Sequence, residues 1–287
     1  MMVEIKKILE KYNAQPKKSL GQNFLINPAV AEKTARLSLA GLNGGDCGVV
    51  EIGPGLGALT SELCKIYKKV VSVEIDRTFE THLRALNYDK LELVFADFLK
   101  TDLEDLINRN FPDAQNIKNI NICANLPYYI TTPLILKIIR GPLGAFTVGA
   151  VTVMVQKEAA GKLCAQAGSS DYCETSALVS YFGEAKKIFN VPPSDFYPQP
   201  KVLSSVVQII PRRVCQPENE LLFFRIIKAA FEQRRKTLAN ALSSNLGLNK
   251  QDVSDVVKKI TGNENIRGEA LDIKKFSDIS DLIDLII

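Results

Sequence analysis

Short runs of β-branched and apolar residues recur between about 46 and 210. They are CGVVEIG (47–53), KVVSVEID (69–76), LELVFAD (91–97), KNINICAN (118–125), FTVGAVTVMVQ (146–156) and VLSSVVQII (202–210). Most are near-continuously apolar, the pattern of parallel strands covered on both faces. Between them lie LTSELCKIY, TFETHLRAL and TPLILKIIR, with apolar residues at i, i+3 and i+4. Strand–helix–strand alternation predicts βαβ units and a mostly parallel α/β sheet. The pattern changes at Pro211. From PRRVCQPEN onward it is helical: ELLFFRIIKAAFEQRRKTLANALSSN, then NKQDVSDVVKKI stopped by Gly262, then a short acidic segment to Ile287. The expected organisation is an α/β domain over 1–211 with a basic N-terminal arm, and a small all-helical domain over 212–287. There is no internal repeat.

Composition adds little to that picture. The 287 residues are 46% hydrophobic and 24% charged, which excludes a disordered or fibrous chain. The net charge of +4 matters less than its distribution. Residues 1–20 carry net +3 and 212–236 net +4, whereas 261–287 carry net −3. Concentrated basic segments fit a polyanion partner, and equally the solvated faces of surface helices. The six cysteines, several inside apolar runs, form no C-x-x-C pair and read as small buried hydrophobes. A single histidine, His82, makes a His-rich metal site or a histidine-based triad a poor expectation, so no metal is predicted. MMVEIKKILEKY lacks the apolar core of a secretory signal, and the longest apolar run (145–155) is too short to span a bilayer. The expectation is a cytoplasmic protein without a membrane partner.

Chemistry enters at the first βα turn. Glu51-Ile52-Gly53-Pro54-Gly55-Leu56-Gly57-Ala58 follows an apolar strand and leads into a helical pattern. Glycines suit a sharp turn whose backbone approaches a ligand closely. Glu74 ends the next strand, where a carboxylate accepts both ribose hydroxyls of an adenosyl cofactor. The same glycines fit a dinucleotide fingerprint, so the motif indicates a nucleoside cofactor without choosing one. Gly53, Glu74, Asp97 and Asn125 all fall at the C-terminal ends of successive strands, the edge of a parallel sheet at which ligands bind. Asp97 suits an adenine amino group, or the cap of the following helix.

Asn125-Leu126-Pro127-Tyr128 suggests methylation of a planar amino group. Such a nitrogen is a poor nucleophile because its lone pair is shared with the ring. The Asn125 side-chain oxygen and the Leu126 carbonyl can each accept one N–H, aligning the nitrogen and favouring the charge that develops on it. Tyr128 can stack on the base. Tyr129 is expected to pack. Phe196, in VPPSDFYPQPKV, either presses on the other face of the base or is a core aromatic under a rigid loop.

Together these stretches resemble the ribosomal RNA adenine N6-dimethyltransferases. The likeness is carried by KKSLGQNFL (17–25), EIGPGLGALT (51–60), VEID (73–76), ANLPYYITTPL (124–134), VQKE (155–158), FYPQPKVLSSVV (196–207) and FEQRRKTL (231–238). It spans most of the chain in the family's order and looks most like the small-subunit enzymes. The resemblance implies a Rossmann-like S-adenosylmethionine-dependent methyltransferase sheet, with cofactor contacts from Asn23, Leu25, Gly53, Glu74, Asp97 and Asn125. It implies a target adenine held at Asn125 and Leu126 between Tyr128 and Phe196. The implied reaction is dimethylation of two adjacent adenosines near the 3′ end of small-subunit rRNA in an assembling particle, by a monomeric enzyme. Lys17, Lys18, Arg234 and Arg235 are expected to contact phosphates. Two stretches depart from the family pattern: CAQAGSSDYCETSAL (164–178) is only loosely similar, and RGEALDIKKF (267–276) keeps Arg267 but lacks the usual proline. Three other functions share features with this chain: a nicotinamide oxidoreductase, a large-subunit methylase of the antibiotic-resistance type, and a non-catalytic assembly factor.

Overall fold

The computed structural model describes residues 2–12, 15–111, 117–140 and 147–287. Among these, the strands are β1 (Phe24–Leu25), β2 (Cys47–Ile52), β3 (Lys69–Glu74), β4 (Leu91–Phe95), β5 (Asn119–Asn125), β6 (Thr147–Gln156), β7 (Gly183–Val191), β8 (Phe196–Tyr197) and β9 (Ser204–Pro211). The helices are α1 (Met2–Lys11), α2 (Pro28–Ser38), α3 (Ala58–Ile66), α4 (Glu80–Arg84), α5 (Leu103–Asn110), α6 (Thr131–Arg140), α7 (Lys157–Leu163), α8 (Glu174–Phe182), α9 (Glu220–Glu232), α10 (Leu238–Leu246), α11 (Lys250–Thr261) and α12 (Ile273–Asp284).

The main sheet has the order β4-β3-β2-β5-β6-β9-β7. Strands β4, β3, β2, β5 and β6 are parallel, and β9 returns antiparallel to β6. Each of the six apolar runs becomes a strand, although residue 146 of one run lies outside the described residues. Every residue of β2 is buried, as a central parallel strand requires. Helices α2 and α3 pack together over β3 and β5, and Ala35, Val49, Leu63, Tyr67 and Val70 share one core cluster. The chain order reverses between β2 and β5, so the carboxyl ends of β2, β3, β4 and β5 form one rim beside the switch point.

Two strand features fall outside the periodicity. β7 is GEAKKIFNV, an edge strand whose exposed lysines and glutamate break any apolar run. β1 and β8 form a two-residue antiparallel pair, Phe24 opposite Tyr197 and Leu25 opposite Phe196. Such a pair is too short to leave a pattern.

The chain divides into two compact units, 1–160 with 186–211, and 161–185 with 212–287. The helical unit thus includes residues 161–185, which the expected boundary assigns to the α/β domain. Nearly all of α8 is buried, and its Tyr181 ring lies 5.0 Å from Phe223 of α9. That packing on α9, not the chain order, ties the segment to the helical unit. The expected helical segment 220–245 is two helices. Gln233 leaves helical geometry, Thr237 is the N-cap of α10, and the Leu238 amide donates to the Ile266 carbonyl (2.7 Å). The α11 stop falls at Gly262, as expected.

Candidate active site

The glycine turn leaves β2 at the point where a backbone of unusual conformation is needed. Gly53 has φ +70, and a Cβ placed there would meet no atom within 4 Å. A side chain would therefore be strained by the backbone and would project into open space beside the sheet rim. That space is a cavity of about 240 Å³. Its lining brings together Asn23, Leu25, Gly53, Glu74, Asp97, Asn125, Leu126 and Tyr128. The residues come from four strand ends and from the segment 20–25, which crosses the rim as a strap.

Each polar group is held from behind. Glu74 is 4% exposed; its Oε2 accepts from the Gly55 amide (3.0 Å) and its Oε1 from the Asp76 amide (2.8 Å). Burial pushes its carboxyl above the usual range, while the two amides act in the opposite sense. Asp97 accepts from the Leu99 amide (3.0 Å) and lies 3.9 Å from the Lys100 ammonium. It therefore organises the turn after β4 while also facing the cavity. The cap of the following helix α5 is Asp102 instead.

Asn125 Nδ2 donates to the Asn23 carbonyl of the strap (2.9 Å). With the amide nitrogen committed there, Oδ1 is the acceptor left for a ligand. The Leu126 amide donates to the Met154 carbonyl (3.0 Å), which pins the turn to β6. The Tyr128 hydroxyl is 2.9 Å from Ser204 Oγ, so the ring is fixed at its far end. Burial raises its phenol above the ordinary value.

Three placements differ from expectation. Phe196 does not line the cavity: it is 1% exposed and packs with Leu25, Ala31, Met154, Val191 and Val206. It pairs antiparallel with Leu25, and its ring sits in the core beneath that residue. Tyr129 is 58% exposed and lines the cavity mouth, because the turn after Pro127 turns it outward beside Gly21. Lys17 is paired with buried Asp76 at 2.7 Å, which removes it from the set of free cations. Sequence reasoning misses Ile75, an apolar residue 51% exposed at this rim. The signal that could find it is an isoleucine between two acids at a strand end. His82 lies outside the cavity, 3.1 Å from the Leu56 carbonyl and against the Tyr12 ring.

The charge of the lining bears on ligand class. Glu74 and Asp97 are its charged residues; among the described residues, no lysine, arginine or histidine lines it. Two carboxylates with no cation in the lining itself suit a ligand carrying hydroxyls and positive charge.

Over residues 13–284 the chain matches the family described as ribosomal RNA adenine dimethylase. It belongs to that family. The chain is 39% identical to the ribosomal RNA small subunit methyltransferase A of Clostridioides difficile, over 97% of this chain and 94% of that protein. A crystal structure of a dimethyladenosine transferase from Plasmodium falciparum is similar with a TM-score of 0.70 and 26% identity, covering 89% of this chain and 95% of the other. The 23S rRNA methyltransferase ErmE shares the fold, with a TM-score of 0.64 at 20% identity over 91% of this chain and 100% of its own. The fold is that of the Rossmann-like rRNA methyltransferases, and the chain is an rRNA adenine dimethyltransferase. Among the described residues, no helix is long and apolar enough to cross a membrane, and no cluster of three His, Cys, Asp or Glu could hold a metal ion.

Proposed function

We propose that the chain methylates N6 of two adjacent adenosines near the 3′ end of small-subunit rRNA, in a particle under assembly in the cytoplasm, using S-adenosylmethionine. One observation carries the chemistry: Asn125 is clamped by its amide nitrogen to the strap, so its oxygen faces the cavity beside Leu126. When bound, S-adenosylmethionine supplies an electrophilic methyl group on a positively charged sulfur. The lining fits that group, being acidic, free of cations among the described residues, and open where Gly53 lacks a side chain. Glu74 would take the ribose hydroxyls through the lone pairs its two amide donors leave free. Asp97 would take the adenine amino group, with Ile75 against the ring. Gly53, Asn23 and Leu25 would complete the enclosure.

Toward the target, Asn125 Oδ1 and the Leu126 carbonyl accept the two N–H bonds of the adenine amino group. They orient its lone pair and stabilise positive charge as it develops there. No general base is required, because the charged nitrogen is acidic enough to lose its proton to water. Tyr128 offers a ring for the flipped base, which offsets the few kcal/mol of unstacking. Phe196 is left out of this account, since it supports Leu25 from the core. Tyr129 is the aromatic exposed at the mouth. Lys18, Arg235 and Lys236, exposed and with no ion pair found among the described residues, are the cations of KKSL and EQRRK left to meet phosphates. Arg234 donates instead to the Tyr172 carbonyl (3.2 Å) and to Glu269 (3.3 Å).

The test is to incubate the protein with labelled methyl donor and either unmethylated small-subunit particles or naked large-subunit RNA, and to map the label. Two adjacent labelled adenosines near the 3′ end of the small-subunit RNA are expected. Label confined to large-subunit RNA would overturn the assignment.

A further inference from the structure

Asp76 lies two residues beyond Glu74, its side chain 1% exposed. Its Oδ1 accepts from the Lys17 ammonium (2.7 Å), the Thr78 hydroxyl (2.7 Å) and the Thr78 amide (3.1 Å). Its Oδ2 accepts from Gln22 Nε2 (2.9 Å). Lys17 and Gln22 bound a small loop that closes on itself: the Lys17 amide donates to Gln22 Oε1 (2.8 Å), the Leu20 amide to the Lys17 carbonyl (3.0 Å) and the Gly21 amide to the Lys18 carbonyl (3.0 Å). Both ends of that loop are thus tied to one carboxylate. The next residue, Asn23, is held by Asn125, and Phe24–Leu25 pair with β8. Asp76 also donates its own amide to Glu74.

The strap therefore has three anchors, of which the first is a single buried acid with four donors. We propose that Asp76 is a positioning residue for cofactor retention: it latches the loop 17–22 to the end of β3, and so holds Asn23 and Leu25 across the cavity. Burial alone would raise the Asp76 carboxyl, but Lys17, Thr78 and Gln22 outweigh it and hold the group below the usual carboxylate range, so it stays ionised at neutral pH. The carboxylate touches neither substrate nor cofactor in this scheme. Its effect falls on how readily the strap closes over the cofactor, so saturating cofactor restores the Asn23–Asn125 contact and with it the chemical step. The inference rests on the cavity being the S-adenosylmethionine site.

The experiment compares Asp76→Asn, Lys17→Met, Gln22→Ala and the Lys17→Met/Asp76→Asn double variant in the full chain. Affinity for S-adenosylmethionine is measured by titration calorimetry, and backbone hydrogen exchange over 15–25 is followed without added cofactor. Steady-state turnover is measured at saturating cofactor. Loss of a charge-assisted bond should weaken cofactor binding by about tenfold for Lys17→Met and by more for Asp76→Asn. Exchange should accelerate in 17–23 but not in β2 or β3, and turnover at saturating cofactor should be retained. The double variant should bind no more weakly than Asp76→Asn alone, because both break one latch. Wild-type affinity in Lys17→Met and Gln22→Ala, or unchanged exchange in the strap, would overturn the latch even if Asp76→Asn fails to fold. Multiplying effects in the double variant would also overturn it. A wild-type protein with no affinity for S-adenosylmethionine would overturn the assignment of the cavity instead.

Discussion

Glu51 carries a carboxyl group into the interior of β2, at 1% exposure. Its Oε2 accepts from the Ser72 (2.6 Å) and Thr60 (2.7 Å) hydroxyls, while Oε1 has no partner among the described residues. Burial is the main cause that pushes its pKa up to about 7. The folded state then binds a proton that the unfolded chain has already released above its ordinary value of 4.5. This group's contribution to stability is therefore present at acid pH and is lost as pH rises toward and through 7. Melting temperatures between pH 5.5 and 8 should fall more steeply for the wild type than for Glu51→Gln; parallel curves would contradict the assignment. At Asn125 the scale is catalytic. Asn125→Ala should lower single-turnover methylation by about 10²–10³, because it removes an acceptor whose value is greatest in the transition state. Calorimetry should still detect cofactor binding, and near-wild-type turnover would remove Asn125 from the mechanism. Residue identity makes Glu74, Asp97 and Asn125 legible, since each polar group stands behind an apolar run. Asn23 and Leu25 are not legible from physics, only from resemblance: the Asn125 amide holds Asn23, a two-residue pairing with β8 holds Leu25, and no periodicity reports either. The sequence leaves Phe196 open between base contact and core because its partner across β1–β8, Leu25, is 171 residues away in the chain.

At the scale of elements, the parallel core is plain from its apolar runs, because burial on both faces leaves little room for polar residues. The edge strand β7 is hidden for the converse reason. The break between α9 and α10 is set by long-range bonds, from Leu238 to Ile266 and from Arg234 to Tyr172, which a local pattern does not contain. Helix α11 ends at the glycine that its pattern marks. Gly262 has φ +72, its amide donates to the Lys258 carbonyl (2.8 Å), and a Cβ there would meet nothing. Gly262→Ala should thus cost only the left-handed strain, about 1 kcal/mol, with methylation unaffected. Chemical denaturation measures this; an unchanged midpoint would show that the cap relaxes freely.

At the scale of the whole molecule, chemistry and charge divide between the two units. The α/β unit holds the acidic cavity, and the helical unit carries the whole 212–236 basic segment. Binding to small-subunit particles should weaken as salt rises, and Lys18→Ala and Arg235→Ala should each reduce the salt slope by roughly 0.7–0.9 for every phosphate no longer neutralised. A slope unchanged in both variants would place the RNA footprint elsewhere. The central claim is that an adenosyl sulfonium lies along the rim of the sheet with the target amine received by Asn125. A crystal structure grown with S-adenosylmethionine tests it most directly. The account predicts the ribose hydroxyls on Glu74, the adenine between Ile75 and Asp97, and the methyl-bearing sulfur toward Asn125 Oδ1; a cofactor bound elsewhere, or an Asn125 amide turned out of the cavity, would contradict it.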